Sequence, residues 1–166
     1  MKVRRLLVMG AAALVLATAV AVPATGRPGQ SSVFQANLTT DAEVHEVQGS
    51  NANGHATFTL SDDRLSFTLR ANRMSGAVFG AHIHGPAGPG VNAGVVVTLC
   101  GVPPVAAAGP CSDGPGKLRV AGVITADLVG GQPNLDALVA MMESGDAYVN
   151  VHTSLNPEGE IRGQIR

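Results

Sequence analysis

The chain predicts an all-β fold, a sandwich or barrel of seven to nine strands with one short helix near residues 134–144. Three observations carry that expectation. Short runs in which apolar and polar residues alternate recur along the chain, which is the period of a half-buried strand. Turn-forming residues separate them, with 21 glycines and 10 prolines in 166 residues. Only one stretch repeats at helical spacing.

In the first run Phe34, Ala36 and Leu38 face one way, Gln35 and Asn37 the other. Glu43–Val47 is a candidate for a further short strand. Ala56, Phe58 and Leu60 then alternate with His55, Thr57 and Thr59, and Leu65, Phe67 and Leu69 with Ser66, Thr68 and Arg70. Ser61-Asp62-Asp63 joins these two at hairpin distance, so residues 54–72 are expected to form a β-hairpin. Further strands are expected at Ala77–His84, Gly94–Leu99, Lys117–Thr125, Ala147–Thr153 and Glu160–Ile165. Between Lys117–Thr125 and Ala147–Thr153, Leu135, Leu138, Val139 and Met142 fall on one helix face, with Asn134 as N-cap and Gly145 as the stop. Met141 and Met142 on that helix read as gap-filling core residues rather than metal ligands.

A chain of this length is expected to form one domain, with enough buried surface for a core. The formal net charge is −1, so no Lys/Arg surplus exists to neutralise phosphates. Without tryptophan and with one tyrosine, Tyr148, the chain also lacks the aromatic platforms of single-strand binders. Nucleic acid is not an expected partner.

Lys2, Arg4 and Arg5 precede an uncharged apolar run from Leu6 to Val22, and small residues follow around Ala19-Val20-Ala21 and Val22-Pro23-Ala24. That is the layout of a secretory signal peptide, expected to span 1–26 and to be cleaved between about 21 and 26. The run is shorter than the roughly 20 residues that cross a bilayer. Residues 27–32 then read as a short linker and 33–166 as the working domain. Losing the leader leaves 8 basic against 12 acidic residues, a formal net of about −4. The expected product has no transmembrane segment and is secreted, periplasmic or at the cell surface. In an oxidising compartment Cys100 and Cys111 are expected to pair, stapling a Gly/Pro-rich loop with about 2–3 kcal/mol of loop entropy.

The chemically informative residues are histidines. If Phe79, Ala81 and Ile83 form the core face of their strand, His82 and His84 point together to the other side. By the same logic Val149 and Val151 point inward, and Tyr148, Asn150 and His152 outward. All three histidines are therefore expected on the outer face, where neighbouring strands would bring the imidazoles together. Neutral imidazole is the commonest protein ligand for copper and zinc. The loop after Gly85 is placed to cover such a cluster, and His45 is a candidate fourth ligand. The plainer reading has these imidazoles bonding to loop carbonyls. His55, beside Thr57 and Thr59, reads as solvent-facing surface.

Other constellations point to no catalysis. Glu160 and Arg162 share a strand face and are expected to form a surface ion pair worth under about 1 kcal/mol. Asn156-Pro157-Glu158-Gly159 reads as the turn that feeds this strand. No serine sits in a nucleophile-elbow sequence. The segment GPAGPG has no lysine and no following helix, so it is not a phosphate loop.

The blocks FQANL, HATFTL, AHIHGPAGPG, YVNVHT and PEGEIRGQI occur in that order over residues 33–166. Together they resemble the CHRD domain, a module named from chordin and also found singly in exported bacterial proteins. The resemblance implies an immunoglobulin-like or Greek-key sandwich or barrel and an extracellular binding role, and it carries over no catalytic residues. Where such domains commonly read EVPPV, this chain has Glu43-Val44-His45-Glu46-Val47, so the pattern does not support His45 as a ligand. A looser similarity is to the copper site of copper–zinc superoxide dismutase, whose His-x-His strand and later histidine match His82, His84 and His152. The bridging and zinc histidines of that enzyme have no counterpart after His84.

The leading expectation is therefore an exported, non-catalytic protein that binds a transition metal, copper first and zinc second, through His82, His84 and His152. The alternative is a module that binds an extracellular protein or glycan, with structural histidines. A dismutase-like redox enzyme stands third.

Overall fold

The computed structural model describes residues 31–62, 64–101, 107–111, 114–129 and 134–166. The leader at 1–26, residues 27–30 of the expected linker, and Asp63 of the hairpin turn lie outside the described residues. Among the described residues eight strands form: β1 (Ser32–Thr39), β2 (Asn53–Ser61), β3 (Arg64–Asn72), β4 (Val78–His84), β5 (Val95–Gly101), β6 (Lys117–Ile124), β7 (Tyr148–Thr153) and β8 (Ile161–Gln164). One helix, α1 (Leu135–Ser144), lies between β6 and β7. Every strand pair is antiparallel, in one sheet ordered β5-β4-β7-β8-β1-β2-β3-β6.

The sheet curls until its end strands approach each other, giving a nearly closed barrel. Residues 107 and 108 close the gap: Ala107 N and Ala108 N donate to Thr98 O and Leu99 O, each at 3.0 Å. On the other side Gly122 of β6 comes so near that a Cβ there would lie 2.8 Å from Ala107 O. Only glycine allows that approach. Cys100 and Cys111 are bonded at S–S 2.07 Å and tie the same segment to β5.

The core fills the barrel with Leu38, Phe58, Leu65, Leu69, Ile83 and Leu118, each at most 1% exposed, and Phe58 stacks with Phe67 at 6.3 Å between centroids. Fully burying one such side chain contributes about 1.5–3 kcal/mol. The hairpin expected at 54–72 is β2–β3, paired in register from Asn53↔Asn72 to Ser61↔Arg64. Helix α1 adds Leu138 and Met142 to the core. Asn134 Oδ1 accepts from Ala137 N at 3.0 Å, and Gly145 ends the helix in the left-handed region at φ 75°. The turn before β8 closes with Gly159 N on Asn156 O at 3.2 Å.

Four expectations need correction. Glu43–Val47 is not a strand: a 3-10 turn at Thr40–Ala42 precedes it, and Glu43, His45 and Gly159 tie it across the barrel surface instead of into the sheet. Phe79 is not core but 41% exposed, because β4 slips register against β7 between Val78 and Gly80, and the bulge turns the ring out. The histidines are on the expected side of the sheet, yet that side is not open: His82 and His84 are 8% and 9% exposed. Finally, Glu160 and Arg162 are not a surface ion pair. Both are buried, and each uses its own set of partners.

Candidate metal centre

Strands β4 and β7 are neighbours, and their register lines up the site. His84 pairs with Tyr148, His82 with Asn150, and Gly80 with His152. Residues opposite one another share a face, so all these side chains stand on the side away from the barrel core. Gly80 leaves room there: a Cβ on it would lie 3.0 Å from His82 Cε1 and 3.9 Å from His152 Cδ2. The sequence reading did not single out Gly80. Its position opposite His152 was the available signal, visible only once the two strands are paired.

The three imidazoles form a cluster. Ring centroids are 4.9 Å apart for His82–His152, 5.8 Å for His82–His84 and 6.1 Å for His84–His152. One nitrogen from each falls within 4.8 Å of the others. His152 is half-buried, but its Nε2 is shut off from solvent.

Two backbone carbonyls decide the tautomers. His84 Nδ1 is 3.0 Å from Ala93 O, and His152 Nδ1 is 3.0 Å from Pro157 O. A carbonyl only accepts, so each Nδ1 carries the proton and each Nε2 keeps its lone pair. Both Nε2 atoms are buried without a hydrogen-bond partner. A buried acceptor left unmatched is costly, and a lone pair so placed can accept from a water or hold a metal ion. Burial pushes the His84 imidazole down to about 4, helped by the neighbouring His82, His152 and Arg162 against the pull of Ala93 O. Burial likewise lowers His152. These two rings are neutral at pH 7, the state that binds a metal.

Two covers shield the cluster. Loop 85–94 is pinned from below: Tyr148 Oη accepts from Ala93 N at 3.0 Å, and Arg162 donates to Asn92 Oδ1 at 3.1 Å and Val91 O at 2.7 Å. Tyr148 stacks with His84 at 4.9 Å and 5°, and Arg162 Cζ sits 3.4 Å from the Tyr148 ring centroid. On the other side, Asn150 Nδ2 donates to both Glu43 oxygens at 3.0 and 3.2 Å. Burial raises Glu43 to about 7, against the lowering influence of His45, Arg162 and Asn150.

His45 is not brought into the cluster. Its Nε2 meets Gly159 O at 3.0 Å, and its Nδ1 is 3.9 Å from Glu43. His55 is exposed and bonds Asn37 and Thr57.

A second polar knot, invisible in the sequence, ties the end of the 43–50 segment to the β3–β4 connection and β7. Glu160, fully buried, accepts from Ser50 Oγ at 2.6 Å, Ser75 N at 2.7 Å, Ser75 Oγ at 2.8 Å and Thr153 Oγ1 at 2.5 Å. Burial alone would raise this carboxyl, but the four donors outweigh it and hold the group below its usual range.

A family model of the CHRD domain matches residues 34–165. No curated protein and no solved structure matches the chain.

Proposed function

The chain belongs to the CHRD domain family, and we propose that within it this chain is an exported, non-catalytic protein that binds one transition-metal ion, copper first, through His82, His84 and His152. The observation that carries the reading is the pair of buried Nε2 lone pairs on His84 and His152, each oriented by an Nδ1–H bond to a backbone carbonyl. Such outer partners fix the tautomer and ring direction of metal-binding histidines. Three imidazole nitrogens with no carboxylate or thiolate in the group suit copper, and the affinity order of divalent ions favours Cu(II), with zinc second. The bonded cysteine pair accords with an oxidising compartment. Among the described residues no helix is long and apolar enough to cross a membrane.

The test is elemental analysis of the mature protein after Cu(II) loading and desalting, beside a His82/His84/His152 triple-Ala variant. One copper per chain is expected, lost in a variant that keeps its circular dichroism spectrum. Undiminished copper in the triple variant overturns the ligand set. No copper in either protein leaves the reading as a metal-free binding module. A dismutase-like enzyme would require superoxide turnover by the copper form, which the same sample can be assayed for.

A further inference from the structure

The wet face of β1 and β2 holds a hydrogen-bonded chain of three side chains that the metal reading does not use. Asn37 and His55 pair across the two strands, and His55 and Thr57 lie two residues apart on β2, so all three stand on the outer face. His55 Nδ1 is 2.9 Å from Asn37 Oδ1, and His55 Nε2 is 3.2 Å from Thr57 Oγ1. An amide oxygen only accepts, so Nδ1 carries the proton. Nε2 is then the acceptor, and the Thr57 hydroxyl donates to it. A hydroxyl, an imidazole that can take its proton and a third group that fixes the imidazole make up the arrangement that activates an oxygen nucleophile.

The surroundings set what this nucleophile can attack. Strand β2 is paired on both sides, Thr57 with Gln35 and with Thr68, so the backbone N–H groups beside Thr57 are engaged in the ladder and form no oxyanion hole. A positioned base accelerates proton transfer by about 10²–10⁴, and each missing oxyanion donor costs about 10²–10³. That balance leaves amides and alkyl esters out of reach and admits acyl donors whose leaving group departs easily. A cleft of about 430 Å³ runs beside the three residues, lined by Val33, Gln35, Asn37, Gln164 and Arg166, and has room for such a donor.

We propose that Thr57 is an acyl-acceptor site, with His55 as its base and Asn37 positioning the imidazole, and that it reacts with activated acyl esters whose leaving group is a phenolate or a thiolate. Thr57 Oγ attacks the carbonyl carbon, and its proton passes to His55 Nε2. The bond from the carbonyl carbon to the phenolic oxygen or thiol sulfur breaks, and the leaving group takes that proton. The product is a threonine ester. Its own leaving group is an alkoxide, so hydrolysis stalls for want of the same oxyanion donors. The outcome is one acyl group per chain rather than turnover. The site lies on other strands than His82, His84 and His152 and does not depend on metal.

The experiment treats the mature protein with p-nitrophenyl acetate, with S-phenyl thioacetate and, as an unactivated control, with ethyl acetate. Intact mass and peptide mapping read the adduct. Alkaline hydroxylamine then cleaves an ester and spares the amides formed at Lys117 and the chain's amino terminus. One hydroxylamine-sensitive acetyl per chain, on the Thr57 peptide, is expected from both activated donors, with none from ethyl acetate. Thr57→Val should remove it and Thr57→Ser should keep it, both with the native circular dichroism spectrum. His55→Gln should slow it by about a hundredfold or more. Asn37→Ala should slow it and Asn37→Asp restore it, a rescue that follows from an acceptor at Nδ1 and not from packing. Acetyl retained at full level in Thr57→Val, an undiminished rate in His55→Gln, or label confined to amines overturns the proposal. The triple-histidine variant should take the label as the native protein does, which separates this result from the fate of the metal reading.

Discussion

The two halves of the barrel use the same antiparallel pairing to opposite ends. In β1 and β3 exposed and buried residues alternate through most of each strand, so one face packs and the other is wet. In β4 and β7 nearly every residue is buried, on both faces. The inner face of these strands is apolar in both halves. What fills the second face of β4 and β7 is polar: His82, His84, Asn150 and, on β8, Arg162. Polar side chains buried on a sheet's second face lower stability unless partners satisfy them. Their presence there, under two pinned covers, marks the half of the molecule to which the proposed metal site is assigned.

That contrast can be broken most forcefully at Glu160. Replacing it with Ala orphans the donors of Ser50, Ser75 and Thr153 at a largely buried position, and a loss of about 3 kcal/mol is expected in urea denaturation. A loss below 1 kcal/mol would show that the 43–50 segment is held by something else.

Next comes acid. His84 titrates at about 4 when folded and near 6.5 when unfolded, so its share of stability is complete above pH 6.5 and is lost as pH falls toward 4, about 3 kcal/mol in all. Glu43, raised to about 7, runs the other way: its share is complete below 4.5 and fades as pH rises to 7. In the metal-free protein the two slopes oppose each other between pH 4.5 and 6.5. Denaturation at several pH values should show Glu43→Gln gaining a stability that rises with pH, and His84→Gln one that falls. Parallel slopes in the two variants contradict this pairing.

Opening the Cys100–Cys111 bridge by a double Ser substitution should cost about 2 kcal/mol, read as a lower melting temperature, since the loop it closes is short. At the bottom of the scale, Thr68→Ser on the wet face of β3 should change stability by no more than about 0.5 kcal/mol. A larger effect there would mean that the plain half is less plain than its alternation implies.

Alternation made β1, β2, β3 and β6 legible in the sequence, because a strand with one wet face writes its orientation into every second residue. Helix α1 was legible for the same reason at a different period, with its Asn134 and Gly145 ends. The phase of His82, His84 and His152 was also readable, and so was the turn at 156–159. Of what covers them, the loop after Gly85 was readable from its place in the chain, but the 43–50 segment was not, because period reports which side a residue takes and says nothing about what lies over it. The loops over them, 43–50 and 85–94, are short of any repeating pattern. Phe79 misled for a local reason, since a bulge adds a residue that alternation cannot anticipate. Glu160 and Arg162 misled for a deeper one. Two opposite charges at i and i+2 imply a pair, and here each found better partners more than sixty residues away in the chain.

The chain has no tryptophan, and Tyr148 is its single tyrosine. That ring lies parallel to His84 and beneath Arg162. Excited beyond the absorption band of its four phenylalanines, the protein therefore emits from one spot, in stacking contact with a proposed ligand. Cu(II) bound there would quench it, Zn(II) would not, and the light would return on reduction or chelation. The protein carries its own optical probe of the site, with no label to attach.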